Sequence, residues 1–235
     1  MPEEEVFTWF SLIPQLGPWL GHNPHVAAAG LVLVVLLIFS LIARRQLARE
    51  ESVYSTSKFG VTIFLELALE SVLELMDKIM GPRGRKFFPL IGSLALFIFF
   101  SNILGLIPGL IPPTQNWNTT AACAIVVFLV YQFFGFKVHG IKYLKHFTGP
   151  VWYLSPLMFP IELISHFVRP LSLSMRLMGN MTGDHLVISI FLGLFPFLLP
   201  LPVMVIGLLV AVIQTLIFIL LSMVYISMAV EEEEH

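Results

Sequence analysis

The sequence predicts an all-α integral membrane protein with five membrane-crossing helices, including a long, steeply tilted helix pair, plus an amphipathic helix on the cytoplasmic surface. Hydrophobic residues make up 57% of the 235 residues and charged residues only 12%, and the mean hydropathy is +0.88. Soluble domains carry about 25% charged residues, so half of the charge expected on a water-exposed surface is missing. The few charges are clustered between long uncharged runs. This composition excludes a soluble enzyme and a disordered chain.

Charge and cysteine content exclude several kinds of site. A net charge of −2 offers no basic surface for nucleic acid. Cys123 is the only cysteine in the sequence, so an intramolecular disulfide is impossible. The sequence contains no Cys/His cluster with zinc-binding spacing, no glycine-rich phosphate loop and no G-x-S-x-G motif. We therefore expect no metal site, no cofactor, no catalytic residue and no direct nucleotide binding in this chain.

Uncharged apolar runs define the predicted spans, because about 20 apolar residues cross a bilayer as a helix. Four spans are predicted on this basis, at 25–43, 88–107, 119–136 and 203–229. A fifth, at 157–195, contains 39 residues, which extend about 58 Å as one helix. The hydrocarbon core is only about 30 Å thick, so this helix must be steeply tilted. Pro170 is expected to bend it, and a re-entrant pair of half-helices is the alternative geometry.

Basic residues predict the orientation of a single membrane domain, 1–235. Of the 13 Lys and Arg residues, 11 lie in the stretches 44–86 and 137–145, which fall on one side of the membrane in this topology. The positive-inside rule then places the N-terminal segment 1–24 outside and the C-terminus in the cytoplasm. The acidic start of the chain is no secretory signal, and no organellar transit segment is visible. We therefore expect the inner (plasma) membrane of a bacterium.

Residues 55–80, between the first two spans, are too polar to cross the membrane. Glu66, Glu70 and Glu74 recur every four residues and therefore share one helical face. The remaining positions are largely apolar. This pattern predicts an amphipathic helix on the cytoplasmic surface or against a partner helix.

The span at 157–195 carries an unexpected stripe of polar residues. At about 100° per residue, five polar side chains fall within roughly 40° of Arg176. They are Glu162, Ser165, Arg169, Ser172 and Asn180. His166 and Asp184 fall near 80°, and His185 falls on the opposite face.

Arg176 is the most informative residue of this stripe. Burying an arginine in a membrane costs on the order of 3 kcal/mol by insertion scales, so such residues usually face a cavity, a partner or an ion path. Glu162 and Arg169, nearer the helix end, could instead extend to the headgroups. An arginine stays protonated and cannot relay a proton. Flanked by His, Glu and Asp residues, Arg176 therefore suggests a barrier between two proton paths, completed by a carboxylate on a partner.

Two sequence motifs carry a family resemblance. The run 169–181, RPLSLSMRLMGNM, resembles the signature of subunit a in the membrane sector of F-type ATP synthases. The run 214–227, QTLIFILLSMVYIS, is similar to the last helix of that family. The resemblance covers roughly 55–235.

The resemblance implies a non-catalytic stator subunit that adjoins a rotating ring of c subunits, peripheral-stalk b subunits and membrane lipid. Arg176 matches the essential arginine that faces the ring carboxylate. The residues implied on the cytoplasmic half-channel are Glu162, Ser165, His166, Arg169, Ser172 and Asn180. Those implied on the outer half-channel are Asp184, His185, Gln214 and Asn102.

One departure from the family pattern concerns the outer half-channel. Many relatives pair position 185 with a His or Glu at position 207, but Gly207 has no side chain. Asp184 occupies a place that is often Gly. We therefore hypothesise that Asp184 and His185 supply the carboxylate–imidazole pair locally.

The sequence leaves two alternatives to the stator. A self-contained ion channel or secondary transporter is the main alternative, although transporters often show inverted repeats and none is visible here. A membrane scaffold without transport would leave Arg176 unexplained.

Overall fold

The computed structural model describes residues 24–49, 61–107, 109–140, 155–194 and 200–230. Within these ranges the chain forms six α-helices and two short 3₁₀ turns, with no strand, which confirms the all-α prediction. The helices are α1 (Pro24–Arg49), α2 (Val61–Met80), α3 (Phe88–Leu104), α4 (Trp117–His139), α5 (Ser155–Leu194) and α6 (Pro200–Val230). The turns are Pro82–Phe87 and Pro113–Gln115. The predicted outer segment before Pro24, the start of the amphipathic helix at 55–60, the lysines at 142 and 145 and the acidic residues after Val230 lie outside the described residues.

Four helices are long and apolar enough to cross a membrane: α1, α3 with its preceding turn, α4 and α6. They correspond to four of the five predicted spans. Among the described helices, α5 does not meet this criterion of length and apolar composition. It carries the ionisable residues of the polar stripe. Its 40 residues form one helix through Pro160 and Pro170, so the alternative of two half-helices is wrong for this segment.

Helix boundaries follow local sequence. Gly81, between α2 and the first turn, has a φ of 65°, a left-handed conformation that favours glycine. The Asn116 side chain caps α4 by accepting a hydrogen bond from the Asn118 backbone N–H at 2.9 Å. Gly140, with a φ of 55°, follows the last residue of α4. Gly81 thus permits the turn between α2 and α3, and Asn116 and Gly140 mark the two ends of α4.

Two apolar clusters hold the helices together. The first joins α2, α3, α4 and α6, with buried side chains such as Met76, Ile91 and Ile226. The second joins α3, α4, α5 and α6, and α5 contributes Leu173, Leu177 and Met181 to it. Since these three residues recur every four positions, they bury one face of α5. The opposite face of α5 is left open.

The amphipathic character predicted for α2 is confirmed. Glu66, Glu70 and Glu74 are all exposed, whereas Val72 and Met76 are buried against the neighbouring helices. At the end of α2, Asp77 accepts two hydrogen bonds from Arg85, at 2.9 and 2.7 Å. This ion pair fixes α2 to the turn that leads into α3.

Candidate functional site

The polar stripe of α5 lies mainly on its open face. Ser172, Arg176 and Asn180 are exposed. Glu162, Ser165 and Arg169 are partly exposed. The helical periodicity predicted from sequence therefore agrees with the side-chain exposure of these six residues.

Arg176 is exposed on the open face of α5, where polar residues of the stripe and apolar side chains both surround it. It makes no hydrogen bond or ion pair with any other described residue. Val168 and Met175, on the same helix, are exposed apolar neighbours of this face. Gly179 and Gly183 add open space, since a Cβ at either position would meet no atom within 4 Å. The arginine therefore presents an uncompensated positive charge on a surface with room for a closely packed partner.

Two residues of the polar stripe, Arg169 and Asn180, contact α6. The Arg169 guanidinium lies 5.6 Å from the centroid of the Tyr225 ring, within the range of a cation–π interaction. Asn180 donates a hydrogen bond from Nδ2 to the Gln214 Oε1 at 2.5 Å, and Gln214 is only 2% exposed. The family resemblance assigned Asn180 and Gln214 to opposite half-channels, whereas the structure brings them together.

Asn102, Asp184 and His185 meet at a small cavity between α3, α5 and α6. Pro112, Met181 and Gly207 also line it. Asn102 is oriented by the loop, because the Thr114 hydroxyl donates to its Oδ1 at 2.8 Å. Pro112, from the same loop, lines the cavity together with His185. The loop between α3 and α4 thus covers one end of α5.

Two polar atoms of the residues that line the cavity lack a hydrogen-bond partner among the described residues. Asn102 Nδ2 and Asp184 Oδ2 are buried without a hydrogen-bond partner among the described residues. Buried polar groups almost always find a partner in protein or ordered water. The cavity is roughly the size of a single water molecule. The arrangement therefore favours water at this site.

Leu106 lies beside Gly207 at this cavity. A Cβ at position 207 would lie 2.7 Å from Leu106 Cδ2, which is too close for two carbon atoms. The close atom is the end of a flexible leucine side chain, so a larger residue at 207 would require Leu106 to adopt another rotamer. The carboxylate and imidazole at this cavity both come from α5.

His166 is separated from the stripe. It is only 6% exposed and lies against α4, where its Nε2 is 3.0 Å from Gln132 Oε1. Tyr131, Gln132 and Thr114 were not anticipated from sequence. The one available signal was Gln132, a polar residue inside an uncharged run.

Two polar regions flank Arg176 along α5. One contains His166 and Gln132, and the other is the cavity lined by Asn102, Asp184 and His185. His166 and Asp184 are 18 residues apart, or about 27 Å along a helix. No group of three or more His, Cys, Asp or Glu side chains that could hold a metal occurs in the part of the chain that the structure describes.

Comparison with known proteins identifies the family. The sequence profile described as ATP synthase A chain matches residues 26–227. The chain belongs to the ATP synthase A chain family. It is 53% identical over 201 residues to ATP synthase subunit a of Trichlorobacter lovleyi, covering 86% of this chain and 84% of the relative. Identity to the Geobacter sulfurreducens subunit is 50% over 216 residues, covering 88% and 91%.

A third relative extends the similarity along almost the whole chain. ATP synthase subunit a of Geotalea daltonii is 46% identical over 221 residues, covering 94% of this chain and 93% of the relative. The resemblance carried by the two motifs is therefore confirmed. Family membership and the apolar helices together identify a membrane protein of ATP synthesis and proton transport.

Proposed function

We propose that this chain is the proton-translocating stator subunit of an F-type ATP synthase. In this function it provides two offset half-channels to a rotating ring of c subunits. Arg176 separates the half-channels and couples proton flow to rotation. The chain itself catalyses no reaction, and ATP is made by other subunits.

The exposure of Arg176 carries this proposal. A guanidinium exposed on a helix within the membrane, without an ion pair among the described residues, would be costly against lipid, on the order of 3 kcal/mol or more. A carboxylate on an adjacent subunit would remove that cost. The open space at Gly179 and Gly183 supports close approach of a partner helix. A ring that carries one carboxylate per subunit fits both features.

The chemistry of arginine suits a barrier. Its guanidinium stays protonated in proteins and cannot release a proton to a neighbour. A fixed positive charge therefore attracts an ionised ring carboxylate and repels a proton that would pass directly between the half-channels. The Gln214 side chain, bonded to Asn180, supports the helix one turn beyond Arg176.

The two half-channels are assigned to opposite ends of α5. Asn102, Asp184 and His185 form the outer one, and the unsatisfied polar atoms of their cavity support water access. Exposed and half-exposed polar residues on the other side of Arg176 form the cytoplasmic one; they are Glu162, Ser165, Arg169 and Ser172. A proton would enter from the cavity, bind the ring, and leave after nearly a full rotation.

The proposal also covers the number of membrane crossings and the side on which each terminus lies. We propose five crossings, with α5 as a steeply tilted fifth span, the N-terminus outside and the C-terminus in the cytoplasm of a bacterium. The length of α5 supports the tilt, because 40 residues extend about 60 Å against a hydrocarbon core of about 30 Å. The partners are the c-subunit ring, peripheral-stalk b subunits and lipid.

Replacing Arg176 with Ala tests the proposal. We expect R176A to abolish proton-driven ATP synthesis in inverted membrane vesicles while the complex still assembles, because the barrier charge is lost. M175A is the matched control: this exposed neighbour on α5 loses a similar side-chain volume but no charge, and should retain synthesis. Coupled ATP synthesis at the normal rate in R176A would refute the assignment.

A further inference from the structure

Pro170 removes one hydrogen bond from the middle of α5. Proline has no backbone N–H, so it cannot donate to the carbonyl four residues earlier, which belongs to His166. The helix nevertheless continues through this position. In a membrane environment a carbonyl that lacks its helical donor is costly unless another group donates to it. A helix is also less resistant to bending where a rung of its hydrogen-bond ladder is missing.

A tyrosine from α4 supplies a donor at this point. The Tyr131 hydroxyl donates to the His166 carbonyl at 3.4 Å, and the Tyr131 ring lies 5.2 Å from the His166 ring. Tyr131 is 1% exposed, so little water competes for this bond. The next residue, Gln132, places its Oε1 3.0 Å from His166 Nε2. Two successive residues of α4 thus contact both the backbone and the side chain of His166.

We infer that Tyr131 and Gln132 form a clamp that fixes the direction of α5 beyond Pro170, and that they are positioning residues for Arg176. This inference rests on the proposed function of Arg176. Arg176 follows Pro170 by six residues, about 9 Å along the helix. A 10° change of direction at Pro170 would therefore displace it by roughly 1.5 Å. Misplacement by about 1 Å can cost a catalytic geometry two orders of magnitude.

The clamp must be distinguished from ordinary core packing. Tyr131 also belongs to the apolar cluster around Ile91 and Ile226, so removing its ring would disturb the whole core. Y131F keeps the ring and removes only the hydroxyl. Tyr225 offers a matched control: its ring lies 6.5 Å from the Tyr131 ring, and its described contacts include no hydrogen bond to the backbone of α5.

Spin-label distances across Pro170 test the clamp directly. Labels would be attached to cysteines at exposed positions of α5 on either side of Pro170, Ile164 and Leu186, in the assembled membrane sector with Cys123 replaced by Ala. We expect Y131F to broaden or shift the distance distribution, and Y225F to leave it unchanged. P170A restores the missing N–H, so adding Y131F to P170A should change nothing further.

Proton-driven ATP synthesis gives the functional readout. Y131F should reduce the rate about two- to tenfold with normal assembly, the range expected for one net hydrogen bond. The same substitution on the P170A background should have no additional effect. An unchanged distance distribution in Y131F, or equal effects of Y131F with and without Pro170, would overturn the clamp. Such a result would leave R176A, the test of the proposed function, unaffected.

Discussion

Asp184 and Asn102 show what burial does to individual polar groups. Each has one side-chain atom that is buried without a hydrogen-bond partner among the described residues, and both face the same small cavity as His185. Leaving such atoms dry costs about 1–3 kcal/mol each. Structures retain unsatisfied groups of this kind where water, an ion or a reaction uses them.

We predict that D184N lowers proton flux through the assembled enzyme by about tenfold or more, because an amide cannot take up and release a proton. The measurement is the rate of proton-driven ATP synthesis in inverted vesicles. D184E is the matched control, since it keeps the carboxylate and should retain much of the rate. Unchanged flux in D184N would remove Asp184 from the path and contradict the local Asp184–His185 pair.

At the scale of the helices, the ion pair between Asp77 and Arg85 fixes the end of α2. The Arg85 guanidinium holds the pKa of Asp77 below its ordinary value of 3.8, because hydrogen bonds to the ionised carboxylate favour that form. A carboxylate whose pKa is lowered by folding stabilises the folded state above its unfolded pKa. That contribution is lost as the pH falls through the lowered, folded pKa.

We therefore predict that D77N modestly lowers the thermal stability of the detergent-solubilised complex at pH 7, since exposed ion pairs contribute little. The difference from wild type should shrink as the pH falls below about 3.8 and vanish below the folded pKa. E74Q is the matched control, because Glu74 pairs with Lys78 inside α2 and does not join α2 to the turn. A D77N difference that persists at the lowest pH would show that the ion pair is not its source.

For the whole molecule, α5 packs against α3, α4 and α6 through an apolar cluster and through the hydrogen bond between Asn180 and Gln214. Leu173, Leu177 and Met181 belong to this cluster, and they lie on the helix between the two polar regions. The charged residue at the same level, Arg176, is on the outer surface. In the proposed function, a partner subunit connects the two polar regions on either side of Arg176.

We predict that the purified chain in liposomes conducts few protons, whereas the assembled membrane sector conducts many. The measurement is the decay of a pH gradient, followed with a fluorescent dye under an imposed potential. Liposomes with the c ring alone provide the control. Robust conduction by the isolated chain would instead favour a self-contained channel or secondary transporter.

Sequence periodicity predicted much of the architecture. The uncharged runs located α1, α3, α4 and α6, and the spacing of glutamates located the exposed face of α2. The stripe on α5, with Arg176 near its middle, followed from the helical repeat alone. These features depend on residues three or four positions apart, because a helix satisfies its backbone within one segment.

Contacts between helices could not be predicted in the same way. Tyr131 and His166 are 35 residues apart, and Asn180 and Gln214 are 34 apart. Nothing local indicates that Asn180 would meet Gln214, or that Thr114 would orient Asn102. Each depends on the rotation and axial shift of one helix against another, which the packing of the whole bundle decides.

The sequence by itself determined that this chain enters the membrane as helices and carries an arginine within an apolar segment. Only the tertiary structure decided which polar groups share a cavity and which residue of α4 donates to the carbonyl before Pro170. The reason is physical: helix formation and membrane partitioning depend on local composition and period. The surroundings of each side chain depend on close packing between segments that are distant in sequence.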